Sequence, residues 1–463
     1  MLLVSLGSKK NDGNDYLAKG GYDLMLPNYR VLDRKLENLS FEETVRLQEN
    51  RLKAQVFYCY EKAPFWRKKF DAIGLRPEDI KTLEDLTKIP FCTREDLQKD
   101  QEDNPPFGSY TASHPSTWMH YFSTSGTTGR PLKRIYSRRD WEYICQRYAR
   151  SPFLEPGEVA MILGPSESLM GPTAVIDSFC YQGIMVVKAG RYDTRTKINL
   201  IKEIRPAAVS GTPSMLLYMG EVANETGVEL SKAGVRIVNS VGEPGAGIKG
   251  TRERIMKTWG CQVWDGYGMT ELFSLGRNCP FSVSLHIAND FVITEVVDPR
   301  TGSVLGAGQR GELVYTNIIG DTQPLLRYRS GDIGEMAKFG ACQCGSTALR
   351  IVNAIEGRVD DMIWFKGMNI FPSAVEGIVR SFSDLSNEFE IVLDAKGVVQ
   401  TLKVRAEASK GLPATEYEGL RGRLLEELKR GINVNADVEI IPEGTLKKTQ
   451  YKGRRIRDNR PKE

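Results

Sequence analysis

Histidine is scarce in this chain, with three among 463 residues, so one placed beside cysteines stands out. Long apolar runs are missing. None reaches the ~18 residues that would span a bilayer, and the opening Met1-Leu-Leu-Val-Ser-Leu6 is too short for the core of a secretory signal. A membrane-spanning or exported protein is therefore not the expectation. Excess charge of one sign is also missing: 63 basic residues stand against 59 acidic, a net +4. That leaves no electrostatic footprint for nucleic acid, and the single basic run, Lys447 to Arg460, lies near the C-terminus. Eight cysteines in this length do not make a disulfide scaffold, and most sit singly in apolar surroundings. A reduced, cytoplasmic protein is the expectation, with Cys342-Gln-Cys344 as the exception. The Gly-x4-Gly-Lys-Ser/Thr loop of the common nucleotide-binding fold is absent as well.

What is present is ordinary for a globular protein: 41% hydrophobic and 26% charged residues. The length exceeds one core, so two or more domains are expected. One stretch is not ordinary. Tyr121-Phe-Ser-Thr-Ser-Gly-Thr-Thr-Gly-Arg-Pro131 sets Gly126 and Gly129 among the hydroxyls of Ser123, Thr124, Ser125, Thr127 and Thr128. Glycines let successive N–H groups face one side, a concave nest for phosphate oxygens, and Arg130 adds a planar cation. Taken alone the same cluster also reads as a polar surface turn.

Along the chain, Ser40-x-x-Glu43 reads as a capping box opening a helix. Its Leu47, Leu52, Val56, Phe57 and Tyr60 recur at helical spacing, and Pro64 ends it. Thr82-x-x-Asp85 and Thr93-x-x-Asp96 introduce two shorter helices. From 159 to 268, apolar strand segments at 159–164, 184–189, 207–211, 237–242 and 261–265 alternate with helices at 194–204, 213–224 and 249–259. Such alternation predicts a parallel sheet with helices on its faces, whose ligands gather at strand ends. Gly242-Glu243-Pro244 and Asp265-Gly266-Tyr267-Gly268-Met269-Thr270-Glu271 lie at predicted strand exits. Beyond 285, strands at 291–297, 311–317, 325–328 and 334–337 read as an antiparallel sub-domain, with a turn over Asp298–Gly302. After Gly357 comes a small α+β module: helix 372–382, strands 389–393 and 400–407, helix 415–430, strand 437–441. The boundary falls at 357–361, dividing the chain into 1–358 and 359–463.

Four motifs stand in fixed order: Ser125-Gly-Thr-Thr-Gly-Arg-Pro131, Tyr267-Gly-Met-Thr-Glu271, Tyr328-Arg-Ser-Gly-Asp332 and Gly357-Arg-Val-Asp360. Together they resemble the signatures of the adenylate-forming superfamily, whose members share an α/β N-terminal domain and a small mobile C-terminal α+β domain. Gly-Glu-Pro at 242–244, Cys342-x-Cys-Gly345 and Lys366-Gly-Met-Asn-Ile-Phe-Pro-Ser373 resemble phenylacetate–CoA ligases and related aryl-CoA ligases in particular. The resemblance implies that a carboxylate attacks the α-phosphate of ATP, pyrophosphate leaves, and the acyl group passes from AMP to the thiol of CoA. It places the glycine loop on the β- and γ-phosphates, Thr270 on the α-phosphate and Glu271 on Mg²⁺, a hard cation suited to carboxylate oxygen. Without that context Thr270-Glu271 reads as a helix N-cap. Asp332 is implied at the ribose hydroxyls, though Gly331-Asp332 also reads as a turn. Arg358 is implied at the ribose or α-phosphate, or pairs with Asp360. A lysine in the run Gly444–Arg455 is implied to bridge carboxylate and α-phosphate, and spacing selects Lys452 over Lys447 and Lys448. Asp360 falls at the implied hinge between two orientations of the small domain.

Cys279 and His286, with Cys342 and Cys344, make a potential Cys3His set for structural zinc, and similar ligases carry a metal-type cysteine cluster here. Four unconnected residues are the alternative. The acid pocket is expected among 141–148, 169–174, 211–213 and 242–247, whose Trp, Met, Pro and Gly suit a planar aromatic acid or an ordinary core. Where relatives carry a more glycine-rich run, this chain has Ser166-Glu-Ser-Leu-Met-Gly-Pro172. A carrier-protein thiol or another acceptor, such as a deazaflavin cofactor, replaces CoA in the second reading, and a non-catalytic binding protein is the third. Many relatives are dimers, so a homodimer is an expectation too.

Overall fold

The computed structural model describes residues 34–124, 130–149, 154–167, 169–279, 281–365, 368–396, 399–432, 436–448 and 455–460. Ser40 opens the first helix as its spacing predicts. Its hydroxyl accepts from the Glu43 N–H at 3.2 Å, and the Glu43 carboxylate accepts from the Ser40 N–H at 2.8 Å. These bonds satisfy backbone donors that a helix start leaves open. Helix α1 (Phe41–Lys62) then yields to α2 (Pro64–Asp71). The buried stripe of α1 is Leu52, Val56 and Cys59 with Gln48 and Gln55, while Phe57 faces outward at 42% exposure. The two glutamine amides donate to the carbonyls of Asn289 and Gly320 at 2.9 Å each, which is how polar groups are held inside. Thr93 caps α3 (Arg94–Asp103) through the same reciprocal pair with Asp96, whereas the turn after Thr82 is the 3-10 segment Glu84–Lys88.

Strands β1 (Trp118–Ser123) and β2 (Lys133–Ser137) pair antiparallel with Ser123 opposite Lys133, so the glycine loop joins their ends. Helix α4 (Arg138–Ala149) follows directly. The alternating region contains β3 (Val159–Ile162), α5 (Met170–Tyr181), β4 (Met185–Lys188), α6 (Thr194–Ile204), β5 (Ala208–Gly211), α7 (Pro213–Glu225), β6 (Ile237–Val241), α8 (Lys249–Trp259) and β7 (Gln262–Met269). The five strands are parallel in the order β4-β3-β5-β6-β7. Helix α5 has no counterpart in the sequence expectation, because Gly171 and Pro172 in its first turn mask it; proline is tolerated there, where the missing N–H has no partner to lose.

The sheet continues past β7 with antiparallel β8 (Phe273–Cys279), β9 (Ser282–Ile287) and β13 (Arg350–Ile351), eight strands in all. A second, antiparallel sheet holds β10 (Val292–Val297), β11 (Arg310–Asn317), β12 (Tyr328–Glu335) and β14 (Gly357–Arg358). The strands expected at 325–328 and 334–337 overlap only the two ends of one strand, β12, with Asp332 inside it. Beyond lie β15 (Ile363–Phe365), β16 (Met368–Ile370), α9 (Pro372–Ser381), β17 (Leu385–Lys396), β18 (Val399–Ala408), α10 (Tyr417–Ile432), β19 (Asp437–Ile441) and β20 (Ile456–Asp458), with sheet order β19-β18-β17-β20. Part of the basic run is therefore a strand: β20 pairs in parallel with Ile391–Leu393. One apolar core is confined to residues 363–438, and the largest of the others to 52–354. Among the described residues, no helix is long and apolar enough to cross a membrane.

Candidate active site

Thr270 and Glu271 form the turn between β7 and β8. They stand at the exit of β7, which runs on through Met269 to pair with β8, and are not a helix start. Asp265, Gly266, Tyr267, Gly268 and Met269 accordingly lie within β7. Gly268 is required by close approach: a Cβ there would stand 2.5 Å from the Phe273 carbonyl oxygen. Strand β2 clamps the turn from the side. The Tyr136 hydroxyl donates to the Thr270 carbonyl at 2.5 Å, and Arg134 Nη2 donates to the carbonyls of Glu271 and Gln323 at 2.8 and 2.6 Å. Arg134 is buried and lies over the Tyr110 ring. The strand that leaves the glycine loop thus holds the backbone of the Thr-Glu turn.

The Glu271 side chain is buried, and its two contacts among the described residues both fall on Oε1: the Tyr328 hydroxyl at 3.4 Å and Arg94 Nη1 at 3.7 Å. Arg94 also donates from Nη2 to Thr124 Oγ1 at 2.7 Å, and that oxygen accepts from the Leu132 N–H at 2.9 Å. Arg94 therefore ties the described edge of the glycine loop to the acidic residue. Sequence reasoning missed it, although a signal exists. Arg94 is the first residue of α3, where the helix dipole disfavours a cation, and such local conflict marks functional positions. Ser123 is half-buried at the end of β1. Ser125, Gly126, Thr127, Thr128 and Gly129 lie outside the described residues, as does Lys452.

Asp332 accepts from the Tyr267 hydroxyl at 2.7 Å and from Arg358 Nη1 at 3.0 Å. Register explains both contacts: Asp332 pairs with Arg358 between β12 and β14, while Tyr267 reaches across from the other sheet. Burial pushes the Asp332 carboxyl up to about 6, against the pull of Arg358 and Tyr267 and with the charge of Glu271 adding to the rise. Arg358 also reaches Asp360 at 3.4 Å, so its contact with Asp332 and its pairing with Asp360 coexist. Asp265 is buried and pushed up to about 7 by desolvation, with its N–H bonded to Asn278 Oδ1 at 2.7 Å. After β6, Glu243 is half-buried and accepts from the Ser214 hydroxyl at 2.7 Å and its N–H at 3.2 Å, while Pro244 is exposed. Trp141, expected at the acid pocket, is buried beside Phe122 and His120 and donates to Asp177 at 2.9 Å.

Away from this site, Cys279 ends β8, His286 lies on β9, and Cys342 and Cys344 sit in the loop after β12. The ligand atoms of the four all lie within 4.8 Å of one another. Cys279 Sγ and Cys342 Sγ are 3.7 Å apart, and Cys344 Sγ is 3.9 Å from His286 Nε2. A tetrahedron with ~2.3 Å metal–sulfur bonds has edges of about this length. Burial pushes His286 down to about 4, keeping its ring neutral, the form a metal takes. The same loop anchors the chain leading into α1: the Ser346 hydroxyl and Thr347 N–H donate to the Glu37 carbonyl at 2.9 and 3.0 Å.

Residues 44–318 match the family of AMP-binding enzymes, and residues 367–460 match the AMP-binding enzyme C-terminal domain. The chain is 29% identical over 448 residues to phenylacetate-coenzyme A ligase of Thermus thermophilus, covering 92% of this chain and 99% of that one. It is also 29% identical to phenylacetate-coenzyme A ligase of Aromatoleum evansii, covering 92% and 97%. Among solved structures, 2-hydroxyisobutyryl-CoA ligase in its post-adenylation state with 2-HIB-AMP aligns at a TM-score of 0.88, with 28% identity over 93% of this chain and 94% of that one. The same ligase with 2-HIB-AMP and CoA in the thioesterification state aligns at 0.70, with 29% identity over 94% of each chain. With a match across more than half its length, and with acidic and arginine side chains gathered where β2, β7, β12 and β14 meet, the chain belongs to the AMP-binding enzyme family.

Proposed function

We propose that this protein activates an aromatic carboxylate of the phenylacetate or benzoate kind as its acyl-adenylate and passes the acyl group to CoA. It is an AMP-forming acid–thiol ligase with ATP and CoA as substrates. In the first step a carboxylate oxygen bonds to the α-phosphorus and the bond to pyrophosphate breaks. In the second, the CoA sulfur bonds to the acyl carbon, its proton leaves, and AMP departs. Negative charge builds on oxygen in both, so positioned donors and cations carry the catalysis. We assign Asp332 and Arg358 to the ribose end, Thr270 to the α-phosphate, and Ser123 to Gly129 with Arg94 to the outer phosphates. Asp265 to Met269, with Glu243 and Pro244, would flank the nucleotide, and Lys452 would meet the attacking carboxylate. Glu271 would hold Mg²⁺, which neutralises phosphate charge when bound. The observation that carries this reading is the pair of linked contacts Thr124–Arg94–Glu271 and Tyr267–Asp332–Arg358.

We further assign a structural zinc to Cys279, His286, Cys342 and Cys344, and two functional units to 1–358 and 359–463. The separate core at 363–438 supports that division. The free cysteines fit a cytoplasmic setting, and a homodimer fits the resemblance to dimeric relatives. The test is a screen of aromatic acids for acid-dependent pyrophosphate release, followed by AMP formation with and without CoA. Acceleration by CoA supports the proposal. Acceleration only by an acyl-carrier protein would move the acceptor to a protein thiol, and no acid-dependent release would overturn it.

A further inference from the structure

Arg254, on α8, spends its whole guanidinium on a segment 126 to 133 residues away. Nε donates to the carbonyl of Arg380 at 2.6 Å. Nη2 donates to the carbonyls of Phe382 and of Leu385, the latter at 3.0 Å. Nη1 donates to the Ser386 carbonyl and to Asn387 Oδ1, both at 3.0 Å. Four of the five acceptors are main-chain carbonyls where α9 ends and β17 begins, the negative end of a helix dipole. A rigid planar fork satisfies such a set in one orientation only.

The surrounding contacts match that orientation. Helices α8 and α9 cross so closely that a Cβ on Gly250 would stand 2.5 Å from the Gly377 carbonyl oxygen and 2.9 Å from the Ser381 nitrogen. Buried Arg380 donates to Thr251 Oγ1 at 3.2 Å across the same crossing. At the rim, Glu221 of α7 accepts from Asn387 at 2.7 Å and pairs with Lys448 at 3.1 Å. This docked arrangement aligns with one state of the 2-hydroxyisobutyryl-CoA ligase far better than with the other, at 0.88 against 0.70.

We propose that Arg254 is a positioning residue, a latch that holds 359–463 against α8 for adenylate formation and has to release for thioester formation. The proposal rests on the ligase reading above. The contact is built from carbonyls and one glycine crossing, so it cannot survive a rotation of the small unit. Losing it removes only the state in which it is made.

The experiment uses the full chain with Arg254→Ala, Arg254→Lys and Gly250→Ala. Three quantities are measured: acid-dependent pyrophosphate release without CoA, thioester formation from presynthesised acyl-adenylate plus CoA, and hydrogen–deuterium exchange over 249–259 and 380–387. Arg254→Ala should lower the first by roughly tenfold or more, the scale of coupling between sites, and leave the second unchanged or faster. Arg254→Lys should fall between, since a single ammonium replaces the fork. Gly250→Ala, harmless to a helix in itself, should reproduce the same split. Exchange over both segments should rise in all three variants. Equal losses in both half-reactions, or undiminished pyrophosphate release, would overturn the latch. Should the unaltered protein release no pyrophosphate with any acid, the ligase reading fails by itself. Exchange then decides: unchanged protection in Arg254→Ala removes the latch as well.

Discussion

Tyr267 and Asp332 meet hydroxyl to carboxylate at 2.7 Å, joining the mixed eight-stranded sheet to the antiparallel one. The bond is held in place before a nucleotide arrives, because both residues sit on paired strands and the tyrosine is half-buried. Hydrogen bonds to charged groups are worth ~1.5–3 kcal/mol. Tyr267→Phe should therefore raise the KM for ATP by roughly tenfold with a smaller change in kcat. Steady-state kinetics at saturating acid and CoA check this.

The same carboxylate sets a pH dependence. Its ordinary value of 3.8 is raised to about 6, so the ionised form, which in the proposed site would accept two ribose hydroxyls, is lost as pH falls through that value. The KM for ATP should rise between pH 7 and pH 5, and Asp332→Asn should flatten the profile at uniformly weaker affinity. Folding stability runs the other way. A raised carboxyl pKa contributes stability below 3.8 that is lost as pH climbs through about 6. A profile unchanged by Asp332→Asn would sink the assignment.

Arg94 should matter to adenylation and hardly to thioester formation. It bonds Thr124 and faces Glu271, the residues proposed for the phosphates and their cation. Arg94→Ala should lower pyrophosphate release roughly 10- to 100-fold, about 1.4–2.7 kcal/mol, with little loss when preformed acyl-adenylate is supplied. Arg94→Lys should recover part, as a point charge replaces a fork.

Asp360, the proposed hinge, is exposed and reaches Arg358 at 3.4 Å. Asp360→Pro fixes φ at that joint. The variant should form adenylate from ATP but transfer it to CoA poorly. Equal loss in the two half-reactions would count against a hinge there.

The Cys3His cluster should hold one zinc per chain. Cys342→Ser should drop zinc well below that ratio by elemental analysis and lower Tm. Chelation should lower the Tm of the unaltered protein and leave that of the variant untouched. A wild-type preparation with far less than one zinc per chain would reject the site.

Local chemistry is what the sequence carried by itself. The capping boxes at Ser40 and Thr93, the helices Thr194–Ile204 and Lys249–Trp259, and the strand Asp437–Ile441 follow from neighbours a few residues apart. The order of the motifs and the donor types of Cys279, His286, Cys342 and Cys344 were legible for the same reason. Long-range pairing decided the rest. Whether Thr270-Glu271 starts a helix or turns a hairpin depended on β8, which needs β9 and β13 beside it. Which face of α1 is buried depended on carbonyls over 240 residues away, at Asn289 and Val292, that satisfy Gln48, so Phe57 lies outside despite its apolarity. Arg94 acquired its role only when α3 came to lie beside β1 and the β7–β8 turn. Periodicity and caps are set by short-range sterics and hydrogen bonds. A partner across the fold is set by topology, which no local window contains.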